Sequence, residues 1–498
     1  MQLSSYTPAR PTVVAILATV MLAACAVGPD FHPPAAPATT HYTAGEQPDV
    51  TTEAPVAAGA AQKFVADRDI PGDWWSLFHS EPLDELVRRA LHDSPNLAAA
   101  RAALRSAQAT YIAERGALLL PTADGQAGVT RERVPGAAFG APSLPASDFT
   151  LYTASVNVSY RLDLFGASRR QLEGLRAQAE YQRWELEAAD LTLTGNVVAT
   201  AFDIASLRAQ LVAVNDVVSS EGAELKVVQR QFDVGGASRS DVLSQQAQVA
   251  QAQAQVPALE KALAQAQHRL AVLSGHTPDD ATIPDFTLDH FELPTELPVT
   301  VPAKLIRQRP DVQAAESLLH QASAQVGVAT ANLFPQLTLT GSIGSDSLTS
   351  QGLLGPGTEA WTAGAALLQP LFHGGELRYK RRAAIANLDG AAATYRQAVL
   401  AAMQDVADTL RALESDARDL KAQVEAERTA SDALQIAQKQ FKLGGVSYLT
   451  VLNAQRLYSQ ARLSRVQSQA TRYADSAALF QALGGGWWNR KDTEGAAQ

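Results

Sequence analysis

The chain repeats itself. Ser94-Pro95-Asn96-Leu97 returns as Arg309-Pro310-Asp311-Val312, Leu120-Pro121 as Phe334-Pro335, and Leu164-Phe165-Gly166 as Leu371-Phe372-His373. Further on, Phe232-Asp233-Val234-Gly235-Gly236 returns as Phe441-Lys442-Leu443-Gly444-Gly445, Asp241-Val242-Leu243 as Thr450-Val451-Leu452, and Leu273-Ser274-Gly275 as Leu483-Gly484-Gly485. The six matches keep their order and lie 207 to 215 residues apart. A unit of about 200 residues is too large for a solenoid repeat and reads as a duplicated half-fold. The chain is therefore expected to fold as two like halves.

Each half has the same plan. A helix starts near the proline, with Leu97, Ala100, Leu104 and Ala107 at close to a 3.6-residue period, and ends near Pro121 or Pro335. Two strands follow. From Tyr152 to Leu164 the alternation is regular: Tyr152, Ala154, Val156, Val158, Tyr160, Leu162 and Leu164 against Thr153, Ser155, Asn157, Ser159, Arg161 and Asp163. One apolar face with tyrosines and one polar face fit lipid outside and a wet lumen inside. The preceding strand sets Ala123, Gly125, Ala127 and Val129 against Asp124, Gln126, Thr130 and Glu132, and in the second half Leu337, Leu339 and Ile343 alternate with Gln336, Thr338, Thr340 and Ser342. The strand around Trp361–Leu368 is apolar on both faces and its orientation is open. Segments near 135–147 and 345–358 are rich in Gly, Pro and Ser and suit barrel loops. Four strands cannot close a barrel, and eight close around packed side chains, so an open lumen points to twelve strands from three chains.

Next in each half comes a long helix, from Arg169 to about Phe232 and from Glu376 to about Phe441, with no proline inside either. At 1.5 Å per residue such a helix is about 95 Å long and needs partner helices along its length. Gly235-Gly236 and Gly444-Gly445 supply the turn from which a second helix returns. In the first returning helix Val249, Ala252, Val256 and Leu259 mark the packed face, with a bend expected at Pro257. The 46% hydrophobic share is visibly alanine-rich, with only 6% aromatic residues, which suits close helix packing.

Before this body stands an export signal: Arg10, the apolar run from Val13 to Leu22, then Ala23 and Ala24. The run is too short to span a membrane, and no long apolar run is expected after it. Leu22-Ala23-Ala24-Cys25 resembles a bacterial lipobox, and Cys25 is the only cysteine in the chain. The resemblance implies acylation of Cys25, and Ala26 after it implies sorting to the outer membrane. The stretch from 26 to about 72 is rich in Pro, Ala, Thr and Gly and reads as an extended strap, with Trp74 and Trp75 anchoring it to the body.

The expected division is a signal peptide at 1–24, an anchored strap at 25–73 and first-half helices at 74–120. The first strand pair then covers 121–166 and the first helical hairpin 167–275. A linker with second-half helices follows at 276–334, the second strand pair at 335–372, the second hairpin at 373–485 and a tail at 486–498.

Other chemistry is not visible. A net charge of −10 without a basic patch argues against nucleic acid. No nucleophile elbow, zinc-protease motif or phosphate loop occurs. The nine histidines are scattered and read as surface residues, so no metal, cofactor or catalytic site is expected. Arg161 with Asp163 reads as a charge pair within the sheet. Glu185, Glu187 and Asp190 read as a tunnel surface or solvated helix face.

Together Cys25 with Val27-Gly28-Pro29-Asp30, Trp74-Trp75, Asn332-Leu333-Phe334-Pro335, Tyr448-Leu449-Thr450-Val451-Leu452-Asn453-Ala454-Gln455-Arg456 and Ala482-Leu483-Gly484-Gly485-Gly486-Trp487 resemble the outer-membrane factors of tripartite efflux pumps, in their lipoprotein branch. The resemblance spans nearly the whole mature chain. It implies an α+β membrane protein: a homotrimer with a twelve-stranded transmembrane β-barrel, four strands per chain, continued by a long α-helical periplasmic barrel. It implies no enzyme activity, no cofactor, a periplasmic adaptor protein and an inner-membrane transporter as partners, and passive conduction of drugs or other small toxic compounds. A duct for type I protein secretion shares this fold and is the alternative. A lipid-anchored coiled-coil scaffold would leave the strands unexplained. Within the resemblance Val234, Gly235, Gly236, Leu443, Gly444 and Gly445 look like adaptor-docking tips, and Arg239, Asp241, Thr450 and Asn453 like gate positions. The family often has aspartate where Asn453 stands, so an acidic ring is not expected there.

Overall fold

The computed structural model describes residues 26–490 except 44, 46, 47, 141, 280 and 281. The signal segment, Cys25 and residues 491–498 lie outside the described residues. Two compact units are each assembled from separate stretches of chain. Of the described residues, the first holds those up to Pro34 with Ala103–Gln182 and Ala314–Tyr395, and the second holds Ala35–Ala102, Arg183–Gln313 and those from Arg396 onward.

In chain order the elements are β1 (Lys63–Ala66), α1 (Glu81–Asp93), α2 (Pro95–Leu119), β2 (Thr122–Val134), β3 (Ser147–Leu162), α3 (Ala167–Asp233) and α4 (Arg239–Leu273). Then come β4 (Glu296–Val299), α5 (Pro302–Gln308), α6 (Pro310–Ala331), β5 (Gln336–Ser347), β6 (Glu359–Leu368), α7 (Glu376–Lys442) and α8 (Tyr448–Ala482). The duplication is exact in helix length: α3 and α7 have 67 residues each, and α4 and α8 have 35 each. Prolines open α2, α5 and α6, where a missing N–H costs nothing. α4 runs through Pro257 without a break.

The first unit is built on an antiparallel sheet in the order β2-β3-β5-β6. Its strand ends pass straight into helices. Asp163 lies just beyond β3, and its carboxylate accepts from the backbone N–H groups of Ser168 and Arg169 at 3.1 and 2.9 Å and pairs with the Arg169 guanidinium at 3.2 Å. Asp163 thus caps α3 rather than pairing with Arg161 in the sheet, because the strand ends at Leu162. Phe165 stacks on Phe334 at 4.8 Å. The segment after Cys25 docks here as well. The Val27 N–H donates to the Phe165 carbonyl, Phe31 stacks on His320 at 4.3 Å, and Asp30 and Glu173 both hold Arg170. His320 also bonds Glu173 at 2.9 Å, so it is a packed residue and not a free surface histidine. Gly28, at φ +104°, lies so close to Gly327 that a Cβ would stand 2.5 Å from the Gly327 Cα.

The second unit holds the helical hairpins. α1 buries Leu83, Leu86, Val87 and Ala90, an i, i+3, i+4, i+7 stripe. Trp74 is buried and stacked on Phe480, and the Trp75 indole donates to Asp84. The second half of the strap is packed, not loose. β1 pairs in parallel with β4, and Arg472 of α8 is fully buried beneath the strap. Its guanidinium donates to the carbonyls of Ala58 and Ala60 at 2.7 and 3.1 Å and to Gln62 at 3.0 Å. Acceptors on both terminal nitrogens are what let this cation be buried, while its Nε has none. Elsewhere in the unit Arg490 pairs with Asp190 at 2.6 Å and with Glu187. These two acids therefore hold the C-terminal segment and are not a solvated face, and burial pushes the Glu187 carboxyl up. Glu185 is exposed.

A long apolar run does occur after Cys25. α3 contains an 18-residue stretch of mean hydropathy 1.5, apolar enough to cross a membrane by length and composition. Of that stretch 56% is buried inside the chain, where Val197, Val198, Ala201, Phe202 and Ala205 pack, so its apolarity serves helix packing.

Candidate functional site at the sheet faces and hairpin tips

Register gives the sheet two distinct faces. Val156 stands opposite Gly125 on one side and Ile343 on the other, and Ile343 stands opposite Trp361. Tyr152, Val158, Tyr160, Leu339 and Leu367 share that face by parity. The other face carries Asp124, Gln126, Ser155, Asn157, Thr338, Thr340, Ser342 and Thr362. The orientation of β6, undecidable from its own residues, follows from β5: Trp361 belongs to the apolar face. That face is uncovered within the chain, with Ile343 66% and Trp361 76% exposed. An apolar sheet face of this size bared to water would be a liability, whereas lipid contact suits it.

The two hairpin tips are near copies. After α3 the Gly236 N–H bonds the Gln231 carbonyl at 2.7 Å, and after α7 the Gly445 N–H bonds the Gln440 carbonyl at 2.9 Å. Gly235 (φ +79°) and Gly444 (φ +74°) take the left-handed position of this helix-ending turn. Just before them Val234 and Leu443 are 83% and 86% exposed, each an apolar side chain at the apex of a hairpin.

Behind the tips the two hairpins share one small core of Val228, Val242, Ala437, Tyr448, Val451 and Leu452. One polar chain crosses it. The Tyr448 hydroxyl donates to Gln245 Oε1 at 2.5 Å, and Gln245 Nε2 donates to the Glu221 carboxylate at 2.6 Å and to its backbone carbonyl at 2.9 Å. Burial pushes the Glu221 carboxyl up, with the Gln245 bond opposing. Burial, then the nearby Glu224, Glu221 and Asp241 charges, push the Tyr448 phenol up.

Of the gate positions, Asp241 serves its own helix. It forms a capping box with Ser238, whose backbone N–H donates to the Asp241 carboxylate at 2.8 Å while the Asp241 N–H donates to Ser238 Oγ at 3.2 Å. The Ser238 bonds hold the Asp241 carboxyl below the usual range. Thr450 occupies the same place in the second hairpin, where its hydroxyl lies 3.2 Å from that of Ser447. Arg239 and Asn453 are exposed. The structure thus brings Asp241 and Thr450 to equivalent helix starts, and it does not join the four residues into one network. Tyr448, Gln245 and Glu221 form the buried polar contact between hairpins near the tips, and Arg462 with Asp216 and Gln467 with Gln210 join them further along. Tyr448 is the duplicate of Arg239, and that mismatch at otherwise matching positions is the signal that could have pointed to it.

The outer membrane efflux protein family pattern matches this chain twice, over residues 86–276 and 301–485. The chain belongs to that family. It is the outer-membrane channel of an efflux system, a transport protein and not an enzyme, and the two matches are its two halves. It is 31% identical over 463 residues to the pyoverdine export outer membrane protein OpmQ of Pseudomonas aeruginosa, covering 90% of this chain and 96% of that one. To the toluene efflux pump outer membrane protein TtgI of Pseudomonas putida it is 30% identical over 484 residues, covering 95% and 97%. Among solved structures, the outer-membrane channel OprN superposes with a TM-score of 0.83 at 26% identity, over 93% of this chain and all of that one. The open state of the MtrE outer membrane channel of Neisseria gonorrhoeae gives 0.79 at 26%, over 94% of this chain and all of that one.

Proposed function

We propose that three copies of this efflux channel close a twelve-stranded barrel in the outer membrane, with their helical hairpins forming a periplasmic tunnel that ends at the tips. The observation that carries this reading is the four-stranded sheet, apolar on one face, polar on the other and unpaired at both edge strands, β2 and β6. Free edges within a membrane leave backbone groups unsatisfied, and closure with further copies removes them. Cys25 carries the lipid anchor, and the docked segment Val27–Phe31 ties that anchor to the first unit. Val234 with Gly235-Gly236 and Leu443 with Gly444-Gly445 receive a periplasmic adaptor, which connects the channel to an inner-membrane transporter. The Tyr448–Gln245–Glu221 chain holds each pair of hairpins together, and Arg239, Asp241, Thr450 and Asn453 shape the gate around it. The substrates are small toxic compounds of the kind its relatives are named for, such as solvents and antibiotics.

Planar-bilayer recording of the purified protein, with its native mass in detergent, tests the reading. A trimer with discrete conductance steps that tip variants alter is the expected result. A monomer without conductance would leave a lipid-anchored scaffold as the better account. A deletion strain that becomes drug-sensitive while secreting its proteins normally separates efflux from protein secretion.

A further inference from the structure

The duplication predicts how one copy meets the next. Inside the chain, the second strand of the first half, β3, pairs with the first strand of the second half, β5. The same relation, continued, pairs β6 with β2 of another copy. Both strands are available: every residue of β6 is exposed, as are all of β2 except Gly128 and Val134. The repeat also carries the register. Leu164-Phe165 corresponds to Leu371-Phe372 and Leu120-Pro121 to Phe334-Pro335. Moved by these correspondences, the observed pair Tyr160 with Leu339 becomes Leu367 with Gly125, and Tyr152 with Ser347 becomes Glu359 with Arg133.

The last pair is opposite in charge. Glu359, Arg131 and Arg133 lie on the apolar face by parity, beyond Trp361 and Tyr152, where that face gives way to polar residues. Within its own chain Arg133 lies 3.4 Å from Asp148, with both side chains largely open, and Arg131 donates to Thr150. A guanidinium has donors enough for a second carboxylate. Among the described residues no cation lies within ion-pair distance of Glu359. The two hairpins of the chain differ by two residues in register, since the correspondences would set Ala366 opposite Gln336 where Leu368 stands. That slip is one side-chain step along the same face, so Glu359 meets Arg131, Arg133 or Pro135. Charge favours the arginines, and Arg133 is the central position.

We propose that Glu359 of one copy pairs with Arg133 of the next across an antiparallel β6–β2 seam, with Arg133 bridging that carboxylate and its own Asp148. The proposal rests on the three-copy barrel above and adds its register. Cysteine pairs test it in the full-length protein: Glu359→Cys combined with Arg133→Cys, Arg131→Cys, Pro135→Cys or Glu132→Cys in the same chain. Oxidation of detergent-purified protein is expected to link most chains into covalent dimers and trimers for the Arg133 pair. At least fivefold less linking is expected for the Glu132 pair, whose side chains lie on opposite faces. A trimer of correct native mass in which linking is strongest at Arg131 or Pro135 overturns the assignment. So does one with no linking at any pair, which would leave Arg133 to an anionic lipid headgroup. Absence of trimers in the unsubstituted protein would instead overturn the three-copy reading itself.

Discussion

Tyr448 and Gln245 stand 203 positions apart in the chain, and a 2.5 Å hydrogen bond joins them across the two hairpins. Gln245 in turn grips Glu221, so the bond ties α8 to both helices of the first hairpin. Tyr448→Phe keeps the ring in its core and removes only this bond. At about 1 kcal/mol, its loss is expected to raise the ratio of open to closed channel about fivefold. Single-channel open probability measures this, and an unchanged value would rule out the bond as a latch.

The apices make a different prediction. Val234→Asp and Leu443→Asp put charge on apolar side chains that are 83% and 86% exposed. Drug resistance in a complemented deletion strain is expected to fall to the level of the deletion, with trimer yield unchanged. Full resistance in the double variant would exclude docking at these two positions.

Asp416 gives a pH dependence. Burial, then a proton shared with Asp475 and the Asp475 charge, push its carboxyl up to about 8, while the Arg472 charge opposes. A carboxyl raised in the fold from an ordinary value near 3.8 favours the folded state while protonated. Its contribution is full below that ordinary value and is lost as pH rises through about 8. The thermal midpoint is therefore expected to fall between pH 6 and pH 9, and Asp416→Asn to flatten that fall. Equal slopes in both proteins would remove the shared proton from the account.

The capping box predicts unequal hairpins. Asp241→Ala is expected to cost about 1 kcal/mol at the start of α4, seen as faster amide hydrogen exchange in its first turn. Thr450→Ala is expected to do less, because Ser447 makes no capping bond to the backbone.

Arg472 holds the strap. Arg472→Met leaves the Ala58 and Ala60 carbonyls without their donor and is expected to destabilise the second unit by about 1–3 kcal/mol for each carbonyl. Limited proteolysis should then cut between 51 and 62, where the unsubstituted protein resists.

The parts legible in the sequence are those that local pattern encodes. The duplicated landmarks mark two like halves, the alternation from Tyr152 gives a two-faced strand, and the glycine pairs mark the hairpin ends. What was not legible depends on partners far along the chain. Arg472, in a helix rich in Gln and Ala, looks like any solvated arginine, and its acceptors are backbone carbonyls, which leave no trace in residue type. Tyr448 and Gln245 likewise carry no mark of each other. Asp163 continued the strand pattern by parity, yet the chain had already turned to start α3, and a carboxylate there is worth more as a cap. Leu and Ala on both sides of β6 hide its orientation, which only its register with β5 reveals.

The duplication has one more consequence. Copies that began alike have taken different trades: the first hairpin keeps a capped, stiff entry with Arg239 in the open, and the second gives up the cap and turns Tyr448 inward at the same position. In the three-copy ring proposed above, the hairpins would number six, of two alternating kinds. A partner reaching that ring meets two sorts of cleft in turn, so one protein species can take up two distinct postures around it, one for each kind of neighbour.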